Sequence, residues 1–244
     1  MKGLFFVYGE MFRKGKGGSR NIGSKESYNE QKQACESHVS LLNHLKKEYD
    51  CDCDVMIATY DTPYTSNVKS WYPEHTIVNC LPSNKFNTSD ARGNHHKWMR
   101  EASLREYDFV FKFRPDLFFK HEFIYKIFNP NFNKMYFYSI CAAAKNWHLT
   151  YVKNPRVNDV MLFIPKHLHA YYLIIPHHFS IDELVHHKEL YPQQVDFMVY
   201  TYHDSDTSKD LNSGYKIVNR PEAKKTLTPL SRTIDHDFPM FKRS

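Results

Sequence analysis

Arg114, Pro115 and Asp116 interrupt "YDFVFKFRPDLFF", residues 107–119, a run otherwise dominated by aromatic side chains. Opposite charges in such a run are costly to bury unless they pair or serve a ligand. A guanidinium beside a carboxylate offers two chemistries: forked donors that match a phosphate, and oxygen ligands for a hard divalent cation. An internal ion pair and the mouth of an active site are both open readings, and they are compatible.

A second concentration of chemistry lies at the start of the chain. Six of the eight glycines fall before residue 24, most of them in "RKGKGGSRNIGS", directly after the apolar "GLFFVYGEM". The segment departs from the Walker phosphate loop, because "GKGGSR" lacks the closing Lys-Ser/Thr, and from the spacing of the dinucleotide fingerprint. It reads either as a loop that closes over phosphates with Arg13, Lys14 or Arg20, or as an exposed connection; glycine supplies the freedom in both cases.

Carboxylates elsewhere have weaker cases. Asp52-Cys53-Asp54 reads as a solvated turn before a strand, and Asp204-Ser205-Asp206 as a polar loop. Asp159, in "VNDVML", fits an Asn-Asp turn as well as a catalytic role. The histidine doublets at 95/96, 177/178 and 186/187 do not build a metal site, since neighbours on a helix point about 100° apart.

These residues need elements to position them. "GLFFVYGEM" predicts a first buried strand, and "SYNEQKQACESHVSLLNHLKKEYD" a helix with Ala34, His38, Leu41, Leu42 and Leu45 on one face. Ser27 and Glu30 suit a capping box at its start. "DVMIATYD" predicts a strand with Asp61 at its carboxyl end, "YTSNVKSWYP" a short helix or turn, and "HTIVNCL" a third strand. "NTSDARGNHHKWMREASLREY" predicts a helix, and "DFVFKF" a fourth strand that ends at Arg114. Later, "KMYFYSI" and "NDVMLFIP" read as strands, and "PKHLHAYYLII" and "SIDELVHHKELYPQQVDFMVYTYH" as helices. The alternation predicts an α/β fold with a mostly parallel sheet flanked by helices. Ligands of such sheets sit beyond the strands' carboxyl ends, where Gly9-Glu10, Asp61 and Arg114-Asp116 would meet.

Composition bounds the function. The 244 residues are 25% charged and 41% hydrophobic, an ordinary globular balance. Aromatic residues make up 16%, so much of the core must be aromatic. The net charge of +6 favours an anionic ligand, but the basic residues are scattered and nucleic acid is not expected as a partner. The five cysteines are odd in number and read as reduced thiols of a cytosolic protein. No stretch approaches the roughly 20 apolar residues of a membrane helix. The expectation is a soluble, cytoplasmic protein, in the host cytoplasm if the chain is viral.

The "xFFVYGExxR" strand and loop, followed about a hundred residues later by a strand ending in Arg-Pro-Asp, resembles a GT-A glycosyltransferase. It is similar in particular to the compact sugar transferases encoded by large DNA viruses of algae, and to lipopolysaccharide-type enzymes carrying "FRxDL". The later "VNDVMLFIPKHLHAYY" is similar to the acceptor side of such enzymes, and the likeness covers about residues 3 to 200. It implies one Rossmann-related domain over 1–244, with a nucleotide-sugar-binding half at 1–120 and an acceptor half at 121–244. It further implies transfer of a hexosyl or pentosyl group from a nucleotide-sugar, expected to be a UDP-sugar, to a glycan or glycoprotein hydroxyl.

By the same resemblance, Gly9, Glu10, Arg13, Asp61, Arg114 and Asp116 would bind the donor. Asp159, or else Asp196, would be the general base. Asp116 with His236 would hold Mn²⁺ or Mg²⁺. The chain departs from the family pattern at Arg114, where an acid is usual; that residue would contact the diphosphate directly or orient Asp116. The rival classes are a catalytically silent carbohydrate-binding or assembly protein on the same fold, and a metal-dependent phosphoesterase or nucleotidyltransferase.

Overall fold

The structure, a computed structural model, describes residues 1–13, 23–74, 76–81, 107–121, 123–137, 140–142, 156–157, 161–169, 202–204 and 215–217. Its framework is a six-stranded sheet. The chain enters through β1 (Lys2–Tyr8), crosses through helix α1 (Tyr28–Tyr49), and returns as β2 (Asp52–Tyr60) parallel to β1. Helix α2 (Thr65–Ser70) then leads to β3 (Ile77–Leu81), parallel to β2. On the other side of β1 lies β4 (Phe109–Phe113), also parallel.

After β4 come β5 (Leu117–Phe119), β6 (Tyr136–Phe137), β7 (Ile140–Ala142), β8 (Arg156–Val157), β9 (Met161–Pro165), β10 (Tyr202–Asp204) and β11 (Tyr215–Ile217). Strand β9 pairs antiparallel to β4 and carries β6 on its far edge, giving the order β3-β2-β1-β4-β9-β6. The fold is therefore α/β with a mostly parallel central sheet. A three-stranded sheet, β10-β7-β8, and the antiparallel pair β11-β5 complete the described strands.

Both faces of the central strands are buried, which is why they read as continuous apolar runs. One face presents Phe5, Val7, Val55, Ile57, Phe109, Phe111, Phe113, Met161 and Phe163, packed against Cys35, Leu41, Leu42 and Leu45 of α1. The opposite set, including Leu4, Phe6, Met56, Val110 and Ile164, is buried as well. Among the described residues the ten largest fully buried side chains are all Phe or Tyr, as the composition predicts. Phe5 meets Phe113 edge-on at 5.4 Å, and Phe119 stacks on Phe123 at 4.8 Å, favoured geometries for rings.

Helix α1 spans the predicted residues, and Ala34, His38, Leu41, Leu42 and Leu45 are all buried. Its start differs from expectation. Ser27 makes no capping bond; its hydroxyl donates to the Ser24 carbonyl at 2.9 Å, across a single 3₁₀ turn, Lys25–Ser27. The capping box does not form because Ser27 is buried and already engaged. The helix ends at Asp50 in a left-handed conformation, φ 46°, with Lys46 reaching both Asp50 and Asp52 at 3.0 Å.

Other expectations also change. Asp52, Cys53 and Asp54 lie within β2 rather than in a turn, since Lys2 and Asp52 open the β1–β2 ladder. Asp54 accepts from the Tyr107 hydroxyl at 2.7 Å and pairs with Lys2 at 3.1 Å. "KMYFYSI" is divided between β6 and β7, which belong to different sheets. "PKHLHAYYLII" begins as a 3₁₀ turn at Lys166–Leu168. Asp204 ends β10 instead of sitting in a loop. The helices expected within 87–107 and 180–203 lie almost wholly outside the described residues. No described helix is long and apolar enough to cross a membrane.

Candidate functional site

Strands β1, β2, β3 and β4 run the same way, so their carboxyl ends share one edge of the sheet. Beyond β1 the chain continues through Gly9, Glu10, Met11, Phe12 and Arg13. The Gly9 amide donates to the Ala58 carbonyl at 3.0 Å, and the Met11 amide to the Thr59 hydroxyl at 3.3 Å. These bonds continue the β1 segment along the end of β2. Gly9 has φ +142°, and a Cβ there would lie 3.0 Å from Pro115 Cδ. The close approach of the two loops, together with that φ, therefore requires glycine at this position.

Gln31, buried in the first turns of α1, fastens the loops to each other. Its Oε1 accepts from the Phe12 amide at 3.1 Å, and its Nε2 donates to the Pro115 carbonyl at 2.7 Å. Phe12 is itself left-handed, φ 53°, and fully buried. The Ser24 amide donates back to the Phe12 carbonyl at 2.9 Å. The glycine-rich segment thus leaves and rejoins the fold at one point; its residues 14–22 lie outside those described. Gly23, φ +74°, abuts Thr62 just past β2.

Two ion pairs stand at this edge. Arg13 Nη1 lies 3.2 Å from Glu10 Oε2, with both side chains largely buried. Arg114 donates from Nε to Asp116 Oδ1 at 2.9 Å and from Nη2 to Asp116 Oδ2, a bidentate fork. Asp116 is 1% exposed, whereas the Arg114 side chain keeps 23%. The carboxylate therefore stays in the core although it lies beyond the last residue of β4. The guanidinium balances it and still reaches solvent. Asp61 follows β2 at the same edge and is exposed.

The turn carrying Arg114 and Asp116 is held from beneath by α1. His38 Nε2 lies 2.6 Å from the Leu117 carbonyl, and Nδ1 lies 2.6 Å from the Tyr72 hydroxyl. A carbonyl can only accept, so Nε2 carries the proton and Nδ1 accepts from Tyr72. Burial pushes the His38 pKa down to about 3, against the opposing pull of the Leu117 carbonyl and the Asp116 charge. Burial likewise pushes the Cys35 thiol up to about 12. Ser37 accepts from the Phe119 amide at 3.0 Å. The side chains of Gln31, Ser37 and His38 thus bond the backbone of the Pro115–Phe119 segment, and β11 pairs with β5.

Sequence reasoning missed Gln31, Ser37, Thr59 and Tyr72 and treated His38 only as part of the helix face. The available signal was polar residues interrupting the apolar face of a helix, which marks buried hydrogen-bonding work. Gly9, Glu10, Arg13, Asp61, Arg114 and Asp116 all fall at the carboxyl edge. Asp159, Asp196 and His236 lie outside the described residues.

A divalent cation of the Mg²⁺ or Mn²⁺ class takes about six oxygen ligands. Among the described residues no group of three or more His, Cys, Asp or Glu gathers. Asp116 has both oxygens on Arg114, and Glu10 lies against Arg13. The described residues by themselves do not fit a metal centre; the charged groups that reach solvent at this edge include the Arg114 guanidinium and the Asp61 carboxylate.

No family model matches the chain, and no curated protein matches it by sequence. Solved structures give low overlaps. The glycosyltransferase GlyE of Streptococcus pneumoniae TIGR4 has 12% identity and a TM-score of 0.36 over 80% of this chain and 44% of its own. A glycosyltransferase involved in glycosylation of the major capsid of PBCV-1 has 8% identity and a TM-score of 0.37, over 84% of this chain and 82% of its own. Mouse xyloside xylosyltransferase 1 has 9% identity and a TM-score of 0.42, over 81% and 85%. The chain spans less than half the length of GlyE. Overlaps this low do not assign an activity.

Proposed function

We propose that the chain is a GT-A-like glycosyltransferase that moves a sugar from a nucleotide-sugar, of the UDP class, to the hydroxyl of a glycan or glycoprotein acceptor. The observation that carries this reading is the meeting of two Arg–carboxylate pairs, Arg13–Glu10 and Arg114–Asp116, at the carboxyl ends of adjacent parallel strands. Ligands of open α/β sheets bind in that position.

Glycosyl transfer develops positive charge on the sugar and negative charge on the departing diphosphate. Arg114, bonded bidentately to Asp116 and reaching solvent, would receive that negative charge. Arg13, at the root of the glycine-rich segment, is the second donor. Asp61 would contact the nucleoside. Asp159, with Asp196 as the alternative, would take the acceptor's proton. The resemblance would give Mn²⁺ or Mg²⁺ Asp116 and His236 as ligands, but both Asp116 oxygens are engaged by Arg114, and no step of this reading uses the ion. The positioning argued for the two arginines does not pass through it.

Asp116→Asn keeps the shape of the side chain but removes the charge that orients Arg114. The variant should lose hydrolysis of every donor that the unchanged protein hydrolyses. Undiminished hydrolysis in Asp116→Asn would remove Asp116 from the site and sink this assignment.

A further inference from the structure

Cys51 and Cys53 lie at the other end of β2, remote in the fold from the carboxyl edge. Their sulfurs are 3.6 Å apart. Cys51 is 1% exposed and sits in the connection between the left-handed end of α1 and the first residue of β2. Cys53 is half-buried. It lies inside β2 opposite Gly3, and its sulfur packs on the bare glycine, where an added Cβ would come within 2.8 Å. Two thiols in contact, one on a partly exposed residue and the other on a covered one, form a dithiol that the sugar chemistry does not use.

We propose that Cys51 and Cys53 form a reversible redox pair that closes to an intramolecular disulfide by exchange with a low-molecular-weight disulfide such as oxidised glutathione. The Cys53 sulfur, as thiolate, attacks one sulfur of the small disulfide and expels the other as a thiolate, leaving a mixed disulfide on Cys53. The Cys51 thiolate then attacks the Cys53 sulfur and releases the second small thiolate, and the two protons lost by the protein pass to the departing thiolates. The protein loses two hydrogens and two electrons, and one small disulfide becomes two small thiols.

The contact shifts the two thiols in opposite directions. Either sulfur can donate in this contact, which lowers the Cys51 pKa and raises that of Cys53. In the reduced pair the negative charge is favoured on Cys51, so the attacking Cys53 thiolate forms when the shared proton passes to Cys51. Closure needs the sulfurs to approach from contact to the covalent distance of about 2.05 Å. Cys51 precedes the β1–β2 ladder, so its side chain can turn without breaking a strand bond.

The test incubates the intact protein with mixtures of reduced and oxidised glutathione, caps remaining thiols in acid-quenched denaturant, and maps the peptides by mass. The expected product is a peptide carrying both cysteines, lighter by two hydrogens and uncapped, which a strong dithiol reductant reverts. Cys51→Ser should instead accumulate stable glutathione on Cys53, and Cys53→Ser should leave Cys51 as a free thiol. A stable glutathione adduct on Cys53 of the unchanged protein would overturn the proposal, as would recovery of both thiols capped under the most oxidising mixture. Should Cys51→Ser fail to fold, the unchanged protein and Cys53→Ser still decide it.

Discussion

His38 and Gln31 show how single buried polar side chains fix the candidate site. The folded His38 pKa, about 3, lies below its ordinary 6.5, so between these values the unfolded chain binds a proton that the folded chain refuses. The stability this residue contributes is complete above pH 6.5 and is lost as pH falls toward about 3. The full loss is on the order of 5 kcal/mol. His169, lowered to about 4 by burial, acts in the same direction. His38→Gln keeps an amide donor for the Leu117 carbonyl but does not titrate. Urea midpoints measured from pH 7 to pH 4 should fall less steeply in this variant than in the unchanged protein, and parallel slopes would refute the assignment. Gln31→Ala strands the Phe12 amide and the Pro115 carbonyl, at about 1–3 kcal/mol for each buried orphan. Denaturant titration should show that loss. Gln31→Glu, which keeps the acceptor and loses the donor, should fall between the two.

At the scale of elements, α1 acts as a bonding partner for irregular backbone. Ser37→Ala would orphan the Phe119 amide and destabilise by about 1–3 kcal/mol, with hydrogen exchange rising first at β5 and β11. Strand β1 is constrained where Gly3 faces Phe109: a Cβ there would meet the ring at 2.2 Å. Gly3→Ala should therefore cost at least about 1–3 kcal/mol through overpacking, read as a lower thermal midpoint. The order of the first strands and helices was legible because apolar runs and helical periodicity are local signals. The capping box was not, since whether Ser27 caps depends on its burial and on Ser24. Nor did periodicity show that Asp52 begins β2, because the ladder with Lys2 sets that boundary.

Over the whole molecule, the parallel order β3-β2-β1-β4 brings to one edge residues separated by about a hundred positions in sequence. That convergence was inferable from alternation alone, because short crossovers make the strands parallel and put their carboxyl ends together. The state of Arg114 was not inferable. Spacing allowed a diphosphate contact or an orienting role, and only the fold shows a bidentate pair with Asp116 buried beneath a guanidinium still open to solvent. The central claim is that this edge binds the diphosphate of a nucleotide-sugar. It is tested most directly by thermal unfolding with UDP-, GDP- and TDP-sugars, with and without Mn²⁺, on the unchanged protein and on Arg114→Met. A donor at a hundred times its Kd stabilises by about 2.7 kcal/mol, several degrees in a chain of this length. Such a rise is expected with at least one donor, of the UDP class, and should be lost in Arg114→Met. No rise with any donor, or a rise that survives in Arg114→Met, would contradict that claim.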